Sequence, residues 1–395
     1  MIRQNFNADW TVEKGDGNSR MNSFLGNTQT KTVHLPYDAM IHEARTPDTK
    51  NGAQTGFYPG GEYIFQKHFT APQAWQGKPV SLVFEGVYQT ALVYLNGWLL
   101  TRNVNGYAEF TVEAGPYLKY GADNLLKVIA DNSLEPNSRW YTGSGIYRPV
   151  RLLVGNKVYL PQDTVRITTR EADEGFALLD VTAQVQSAST VTERRTLQQT
   201  ICREGTAVLT DRQNLLLQPG ESRTVSFRYC VDSPALWSPE NPNLYTSTMQ
   251  VLEGEEELDR EETGFGIRTL SIDAAHGVRI NGQTVKLRGA CIHHDNGILG
   301  AATLPDAEER RIRQLKEAGF NAIRSSHHPA GRALLDACDR YGVLVMDELS
   351  DVWNVRKNPY DYALYFEQDW KPTIQKMVAK DYNHPSVILY CVGNE

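Results

Sequence analysis

The chain has 395 residues, 41% of them hydrophobic and 10% aromatic, which is enough for two or three folded domains and excludes wholesale disorder. Its 47 acidic and 40 basic side chains give a formal net charge of −7. Because that charge repels phosphate backbones, no nucleic-acid partner is expected. No run of about 18 apolar residues occurs, and the first residues lack a charged and then apolar leader, so neither a membrane span nor a secretory signal is predicted.

Residues 1–157 are predicted to form an all-β domain. Short runs rich in β-branched and aromatic residues occur at 81–87, 91–97, 124–131 and 150–154. The second of these runs ends in Asn-Gly, which is typical of a tight hairpin turn. Many short strands joined by Gly and Pro turns are typical of a sandwich or a jelly roll.

Residues 158–267 are predicted to form a second β domain of a different kind. Regularly spaced strand-like runs over about a hundred residues indicate an immunoglobulin-like β-sandwich, without the Cys-Trp-Cys pattern of antibody domains. The acidic run 253–262 is predicted to be the solvated tip of a hairpin. The strand-like runs lie at 164–169, 178–185, 196–202, 222–229 and 245–252.

Strand and helix patterns alternate in residues 268–395. Asp306 followed by Glu309 predicts a capped helix start, and Gly319 predicts the end of that helix. Four β/α repeats in roughly 110 residues are the first half of an eight-stranded (β/α)8 TIM barrel. The predicted strands are 285–292, 321–324, 343–346 and 387–392, and the later helices are 334–341 and 366–380.

Polar residues cluster at the carboxyl end of every predicted barrel strand, where barrel enzymes build their active sites. One such residue on its own would be a capping or supporting residue. Four clusters at one barrel mouth predict an active site. The clusters contain His293, His294 and Asp295; Arg324, Ser325, Ser326, His327 and His328; Asp347 and Glu348; and Asn394 and Glu395.

Carboxylates flanked by His and Arg favour glycosidic bond cleavage over metal or nucleotide chemistry. The histidines at 293–294 and 327–328 are adjacent in sequence, so each pair offers one metal ligand, and no His-Glu-x-x-His motif occurs. Neither a phosphate-binding Gly loop nor a dinucleotide fingerprint is present, so no metal and no cofactor is predicted. In glycoside cleavage a carboxylic acid of raised pKa protonates the departing oxygen. Glu395, which follows the apolar run 387–392, is the candidate for that acid.

Cysteine usage predicts a reducing compartment. The cysteines are odd in number, widely spaced, and form no Cys-x-x-Cys pair, which is typical of reduced thiols in a cytoplasmic protein. They are Cys202, Cys230, Cys291, Cys338 and Cys391.

Two segments of the chain resemble the signatures of glycoside hydrolase family 2, the group of β-galactosidases, β-glucuronidases and β-mannosidases. Residues 321–329, Asn-Ala-Ile-Arg-Ser-Ser-His-His-Pro, look like the first signature, and residues 381–395, which end in Asn-Glu, look like the second. Residues 144–150 and 236–245 are similar to the family's sugar-binding domain and middle sandwich. Within the family, residues 288–297 are similar to the β-galactosidases.

This resemblance implies a retaining exo-acting β-glycosidase, most similar to a β-galactosidase, with a jelly-roll sugar-binding domain. It implies that Glu395 is the proton donor and acid/base, and that His327 stabilises the transition state. The family nucleophile is a Glu on a later barrel strand, so the chain is expected to be truncated before it and nearly inactive alone. The residues that the resemblance assigns to substrate binding or its support are Asp295, Asn394, His294, Arg324 and Glu348.

Two alternatives stay open at the level of the sequence. One is another member of the family, a β-glucuronidase or β-mannosidase, since His328 stands where the family usually carries Tyr or Asn. Val352 and Asn354 occupy the magnesium-ligand positions of the large galactosidases, so no such site is expected. The other alternative is a non-catalytic protein that binds carbohydrate on the jelly-roll face around 58–61 and 139–141, where aromatic rings can stack on sugars. A carbohydrate is the expected partner in either case, and a homo-oligomer is left open.

Overall fold

The computed structural model of the protein describes residues 1–15 and 30–394. In this part of the chain two β-sandwiches are followed by a parallel β/α unit, which is the three-part architecture that the sequence predicts. No helix among the described residues is long and apolar enough to cross a membrane. Single 3-10 turns occur at Met40–His42, Gly52–Thr55, Gln73–Trp75, Gly115–Tyr117, Gly297–Leu299 and Tyr362–Leu364.

The N-terminal sandwich consists of two antiparallel sheets that share one apolar core. Its strands are β1 (Ile2–Asn5), β2 (Trp10–Lys14), β3 (Lys31–Val33), β4 (Gly61–Thr70), β5 (Val80–Phe84), β6 (Thr90–Leu95), β7 (Trp98–Asn103), β8 (Phe110–Glu113), β9 (Asp123–Asn132) and β10 (Val150–Val154). One sheet has the order β1-β10-β5-β8 and the other the order β3-β2-β4-β9-β6-β7. Burial alternates along β9, so one face of that strand packs on a core that includes Trp10, Phe65 and Leu82.

The second sandwich also pairs two antiparallel sheets. Its strands are β11 (Val158–Tyr159), β12 (Arg166–Ala172), β13 (Phe176–Ser187), β14 (Glu193–Arg203), β15 (Thr206–Leu217), β16 (Ser222–Asp232), β17 (Tyr245–Glu253) and β18 (Glu256–Phe265). One sheet runs β11-β13-β12 with β16 paired to β13, and the other runs β15-β14-β17-β18. Leu179, Leu197 and Met249 belong to the core that both sheets contribute to.

The prediction that the acidic run 253–262 is a solvated hairpin tip is wrong. The turn is confined to Gly254 and Glu255, and the following residues form β18. Asp259 and Glu261 point inward and are buried. Glu261 pairs with Arg3 of the first sandwich, so part of this acidic run joins the two sandwiches.

A β/α unit follows a short antiparallel sheet made of β19 (Leu270–Asp273), β20 (Gly277–Ile280) and β21 (Gln283–Thr284). In chain order the unit contains β22 (Gly289–Ile292), α1 (Pro305–Glu317), β23 (Ala322–Ser325), α2 (Arg332–Tyr341), β24 (Leu344–Glu348), α3 (Phe366–Asp381) and β25 (Val387–Cys391). The four strands are parallel and adjacent in chain order. Ile312 of α1 and Leu335 of α2 pack against Ile323 and Val345 of the sheet, as in half of a TIM barrel.

Two local predictions for this unit differ from the structure. The first strand covers only Gly289–Ile292, because Val285 donates its N–H to the carbonyl of Val278 at 2.9 Å in the preceding sheet. Leu304 is the residue before α1 and makes no side-chain cap. Asp306 lies inside the first turn, where a carboxylate is favourable because of the helix dipole.

Polar contacts hold loops of the first sandwich against the carboxyl ends of the barrel strands. Arg148 donates to the carbonyl of Pro329 at 3.1 Å. Arg139 donates to both carboxylate oxygens of Asp351, at 3.0 and 2.6 Å. The site at these strand ends is therefore built from two domains.

Candidate functional site

Glu348, the last residue of β24, is completely buried and has both carboxylate oxygens engaged. Arg324 donates Nε to Oε2 and Nη2 to Oε1, each at 2.8 Å, and His327 Nδ1 lies 3.0 Å from Oε2. Burial alone would raise the pKa of Glu348, but the hydrogen bonds from His327 and Arg324 lower it. Glu348 is therefore an ionised acceptor that orients Arg324 and His327, and it is unsuited to donate a proton.

The side-chain amide of Asn394 is fixed from two sides. Its Oδ1 accepts from Arg324 Nη2 at 3.1 Å, and its Nδ2 donates to Asp351 Oδ1 at 3.0 Å. Asp351 also accepts from Arg139 and from Lys357 Nζ at 3.1 Å. Burial would raise the pKa of Asp351, but hydrogen bonds from Arg139, Asn394 and Lys357 lower it to about 2. The guanidinium of Arg324 and the ionised carboxylate of Asp351 thus set which end of the amide is acceptor and which is donor.

The first member of each histidine pair faces the indole of Trp140, from the first sandwich. The rings of His293 and Trp140 are stacked with centroids 4.7 Å apart, and His327 meets the same indole edge-on at 5.8 Å. His293 Nδ1 lies 2.7 Å from the carbonyl of Ser326. His327 is therefore held between Trp140 and the carboxylate of Glu348.

The second member of each histidine pair faces the opposite way and is buried against Tyr107. Ring centroids lie 5.1 Å apart for Tyr107 and His294, 4.6 Å for Tyr107 and His328, and 5.0 Å for the two histidines. Burial lowers the pKa of His294 to about 3 and that of His328 well below its ordinary value. Both rings are neutral near pH 7, and they belong to the interface between the first sandwich and the β/α unit.

Of the predicted site residues, the structure brings Arg324, His327, Glu348 and Asn394 into one connected cluster. Among the described residues, the carboxylate of Asp295 makes no hydrogen bond or ion pair to this cluster. Glu395 lies outside the residues that the structure describes. The position of its neighbour Asn394 nevertheless shows that the chain reaches the cluster from β25.

Three residues of this site were missed by sequence reasoning. Asp351 and Lys357 lie in the loop after β24, and Arg139 comes from the first sandwich. Asp351 could have been found, since it follows Glu348 by three residues in the same strand-end loop. Arg139 was considered only as part of a carbohydrate-binding face.

A narrow cleft between the first sandwich and the barrel mouth adjoins the cluster and is lined by Asn105, Tyr107, Trp140, His327 and Asp351, among others. A more spacious cavity of about 530 Å³ lies elsewhere, where all three domains meet. Residues such as Thr111, Asp163 and Lys376 line it, and none of the predicted site residues does. Size therefore does not identify the site here, and the connected polar cluster is the better indicator.

One group of potential metal ligands is formed by Asp336, Asp339 and His384, whose ligand atoms lie within 4.8 Å of one another. The carboxylate of Asp339 is already engaged: Oδ2 lies 2.5 Å from His384 Nδ1, and Oδ1 accepts from the N–H of Ser386 at 3.0 Å. These contacts tie α2 to the start of β25. The group is far better explained as a structural hydrogen-bond network than as a metal site.

Three models of one protein family match consecutive parts of the chain. Glycosyl hydrolase 2 galactose-binding domain-like matches residues 10–176, Glycosyl hydrolases family 2 matches 158–268, and Glycosyl hydrolases family 2, TIM barrel domain, matches 274–395. These matches follow the order of the first sandwich, the second sandwich and the β/α unit.

Similar proteins cover the whole of this chain, while the chain spans about half or less of their length. Beta-galactosidase BoGH2A of Bacteroides ovatus is 37% identical over 394 residues, which is 100% of this chain and 46% of that protein. A putative beta-glucuronidase of Formosa agariphila is 32% identical over 395 residues, 37% of its length. The crystal structure of a glycosyl hydrolase family 2 member from Bacteroides cellulosilyticus aligns with a TM-score of 0.94 at 37% identity, over 99% of this chain and 51% of that one. The chain belongs to glycoside hydrolase family 2.

Proposed function

We propose that this protein is a retaining exo-acting β-glycosidase that hydrolyses terminal β-galactosides. The main support for this proposal is the cluster in which Glu348 binds Arg324 and His327, and Arg324 in turn binds Asn394. This cluster joins three strand ends of the β/α unit immediately before Glu395. The family supports glycoside hydrolysis, and the 37% identity to a β-galactosidase supports the sugar.

Glu395 is proposed to be the acid and then the base of the reaction. It would protonate the departing glycosidic oxygen and later activate the water that hydrolyses a covalent glycosyl-enzyme. The nucleophile is proposed to be a Glu beyond position 395, on a later barrel strand. On this proposal the 395-residue chain alone shows almost no turnover of β-galactosides.

The neighbours of Glu395 are proposed to bind the sugar in fixed orientations. With one Nδ2 hydrogen of Asn394 donated to Asp351, the other is free to bind the sugar 2-hydroxyl. With Nδ1–H of His327 donated to Glu348, Nε2 faces away from that carboxylate and can contact the sugar as charge develops. Asp295 is proposed to bind further hydroxyls, while Arg324 and Glu348 hold these groups in place.

The pairing of charges at the barrel mouth supports a neutral sugar over a uronic acid. Glu348 neutralises Arg324, and Asp351 accepts from both Arg139 and Lys357. Recognition of a glucuronate carboxylate needs a cation that is available to it. Each of these three cations already bonds a carboxylate, so the described part of the site favours a neutral sugar over a uronic acid.

A panel of chromogenic β-galactoside, β-glucuronide and β-mannoside substrates, assayed with the full product of the gene, tests this proposal. The β-galactoside should give a kcat/KM at least about tenfold above the others. A preference for the glucuronide would overturn the sugar assignment. Absence of hydrolysis with every glycoside would overturn the enzymatic assignment.

The second candidate function is non-catalytic carbohydrate binding by the first sandwich. The observation in its favour is the aromatic pair Tyr58 and Tyr141, with ring centroids 5.9 Å apart and the guanidinium of Arg45 over Tyr58. Tyr141 is, however, anchored to Asp38 through its hydroxyl at 2.6 Å. Calorimetric titration of the chain with galactose, compared with Tyr58→Ala, separates this candidate: binding that Tyr58→Ala abolishes, together with no hydrolysis by the full gene product, would favour it.

A further inference from the structure

Two buried aspartates lie beside the strand ends but outside the cluster around Glu348. Asp347 is the next-to-last residue of β24 and Asp381 is the last residue of α3, and both are fully buried. The two carboxyl groups lie close together around Ala330, whose N–H is bound by Asp347 and whose carbonyl is bound by Lys380, the neighbour of Asp381. The neighbouring cation is Lys380, which bonds Asp381 Oδ1 and donates to the carbonyl of Ala330 at 2.9 Å.

One oxygen of each of these two carboxyl groups receives no hydrogen bond from an N–H donor. Asp347 Oδ1 accepts the N–H of Ala330 at 2.8 Å and that of Glu348 at 3.1 Å. Asp347 Oδ2 and Asp381 Oδ2 are buried, and no donor among the described residues reaches them. These two buried oxygens can be satisfied by a hydrogen bond between them only if one of them carries a proton.

The balance of charges around Asp347 and Asp381 also indicates that one of the two carboxyl groups carries a proton. Two carboxylates and the single ammonium of Lys380 would leave one uncompensated negative charge in a buried site, which is unfavourable. One added proton makes the group neutral. Burial and the charge of Asp381 act together on Asp347 and raise its pKa well above the ordinary value.

We propose that Asp347 and Asp381 share one proton at neutral pH, and that this proton-bridged pair clamps the loop that carries His327. Ala330 ends the run that begins at His327, and its N–H is held by Asp347 while its carbonyl is held by Lys380. Asp347 also accepts the N–H of Glu348. Asp347 and Asp381 are thus positioning residues for the loop and the strand end, and the sharing of a proton does not depend on the proposed hydrolysis.

The other titratable groups that face the pair do not compete for this proton. Tyr390 on β25 has its pKa raised by burial and by the charges of Asp381 and Asp347, so it stays neutral. Glu109 of the first sandwich attracts Lys380 but is ionised, since Arg332 holds its pKa at about 2 against the effect of burial. Near neutral pH the aspartate pair is therefore the group that holds a proton at this place.

Infrared difference spectroscopy of the 395-residue chain at pH 7 tests the shared proton. The wild type should show the carbonyl band of a protonated carboxylic acid, and Asp347→Asn or Asp381→Asn should each remove that same band. Asp351→Asn is the matched control, because that carboxylate is ionised and its loss should leave the band unchanged. Identical spectra for wild type and both single variants would overturn the proposal.

The pH dependence of unfolding gives a second readout. The unfolded chain releases this proton near pH 4, whereas the folded chain keeps it, so folding stability falls as the pH rises above that value. The Tm of the wild type relative to Asp347→Asn should therefore decrease from pH 5 upward, until the pair itself ionises. A constant difference would mean that no proton is held, and would contradict the proposal.

Hydrogen exchange tests the clamp separately from the proton. The amide of Ala330 should exchange faster in Asp347→Ala, which has no acceptor for it, than in the wild type. Asp347→Asn keeps the acceptor oxygen and can donate to Asp381, so it should restore slow exchange. Equal exchange in Asp347→Ala and Asp347→Asn would show that Asp347 does not hold the loop.

Discussion

Glu348 and Asp351 pair with different cations at the barrel mouth. Glu348 forms a bidentate ion pair with Arg324, and Asp351 forms ion pairs with Arg139 and Lys357. Asn394 touches both systems, because Arg324 binds its oxygen and Asp351 its nitrogen. At the scale of single residues, the site is therefore three cations held by two carboxylates around one amide.

Asp351→Asn is expected to lower kcat/KM for a β-galactoside by about 10- to 100-fold, from the loss of a charged hydrogen-bond acceptor. The substitution releases Arg139 and Lys357 and allows the amide of Asn394 to turn. The assay uses the full product of the gene, with Asp48→Asn in an exposed loop as the control. An Asp351→Asn enzyme as active as the control would show that this carboxylate does not orient Asn394.

Acid is expected to weaken the interface that contains His294. Burial holds the pKa of this ring at about 3, whereas an unfolded His titrates near 6.5. The contribution of the neutral His294 ring to the free energy of unfolding is fully present above about pH 6.5. It falls as the pH drops toward 3, and about 2 kcal/mol of it is lost at pH 5. In denaturant unfolding, the free energy of unfolding of His294→Gln should change less between pH 7 and pH 5 than that of the wild type. The exposed His68→Gln should behave like the wild type, and equal slopes for both variants would refute the assignment.

The glycines that follow α1 and α2 have similar backbone conformations but different surroundings. Gly319 has φ +88° with open space around it, and Gly342 has φ +66°. A Cβ added to Gly342 would lie 2.3 Å from the carbonyl oxygen of Pro239, in the segment before β17. Gly342 is thus packed against the second sandwich, whereas a Cβ at Gly319 would meet nothing.

Gly342→Ala should therefore destabilise the protein more than Gly319→Ala. Positive φ costs each variant about 1 kcal/mol, and the clash at Gly342 adds about 1–3 kcal/mol. Urea unfolding midpoints of the two variants measure the difference. Equal losses would mean that the contact with Pro239 relaxes without cost.

Strands with one buried face could be predicted from the sequence. The run 124–131 became Asp123–Asn132, because its apolar residues alternate along the strand. Thr206–Leu217 was missed because most of its residues are exposed and polar, and its conformation comes from pairing with Glu193–Arg203. Alternation of apolar and polar residues reflects the burial of one face of a strand. A strand that is held only by hydrogen bonds to its partner therefore does not show this alternation in its sequence.

The candidate site could be predicted in part for a similar reason. Parallel strands bring their carboxyl ends together, so Arg324, His327 and Glu348 could be expected to meet. Arg139 lies 212 residues before Asp351, and only the packing of two domains brings them together. The burial of His294 against the first sandwich likewise depends on tertiary packing.

All three domains meet at one ion-pair network. Arg332 at the start of α2 pairs with Glu109 of the first sandwich at 2.7 Å and with Asp163 of the second at 2.6 Å. Each of these side chains is at most 20% exposed. This network fixes the first sandwich, and with it Trp140, against the barrel mouth.

Arg332→Met is expected to destabilise the protein by about 2–3 kcal/mol, since it removes the cation that Asp163 pairs with and leaves the buried Glu109 with Arg151 alone. Arg212→Met is the control, because its pair with Glu255 is exposed and should be worth less than about 1 kcal/mol. Chemical unfolding followed by tryptophan fluorescence measures both. If Arg332→Met costs no more than the control, the network does not hold the domains together.

The parallel sheet of the β/α unit carries an apolar hollow of about 280 Å³, lined by residues such as Cys291, Ala322, Met346 and Leu389. Leu287 at its rim is 43% exposed. An apolar surface of this kind favours a covering element. It is consistent with the proposal that further barrel strands, including the one with the nucleophile, pack here.

The most direct test of the central claim compares wild type with Glu395→Gln in the full product of the gene, on two β-galactosides. One has an alkyl leaving group that needs protonation, and the other has an activated nitrophenyl group that does not. Loss of the general acid should lower kcat/KM by about 100- to 10,000-fold for the first and far less for the second. Wild-type kcat/KM values on both substrates would contradict the assignment of Glu395 as the acid/base.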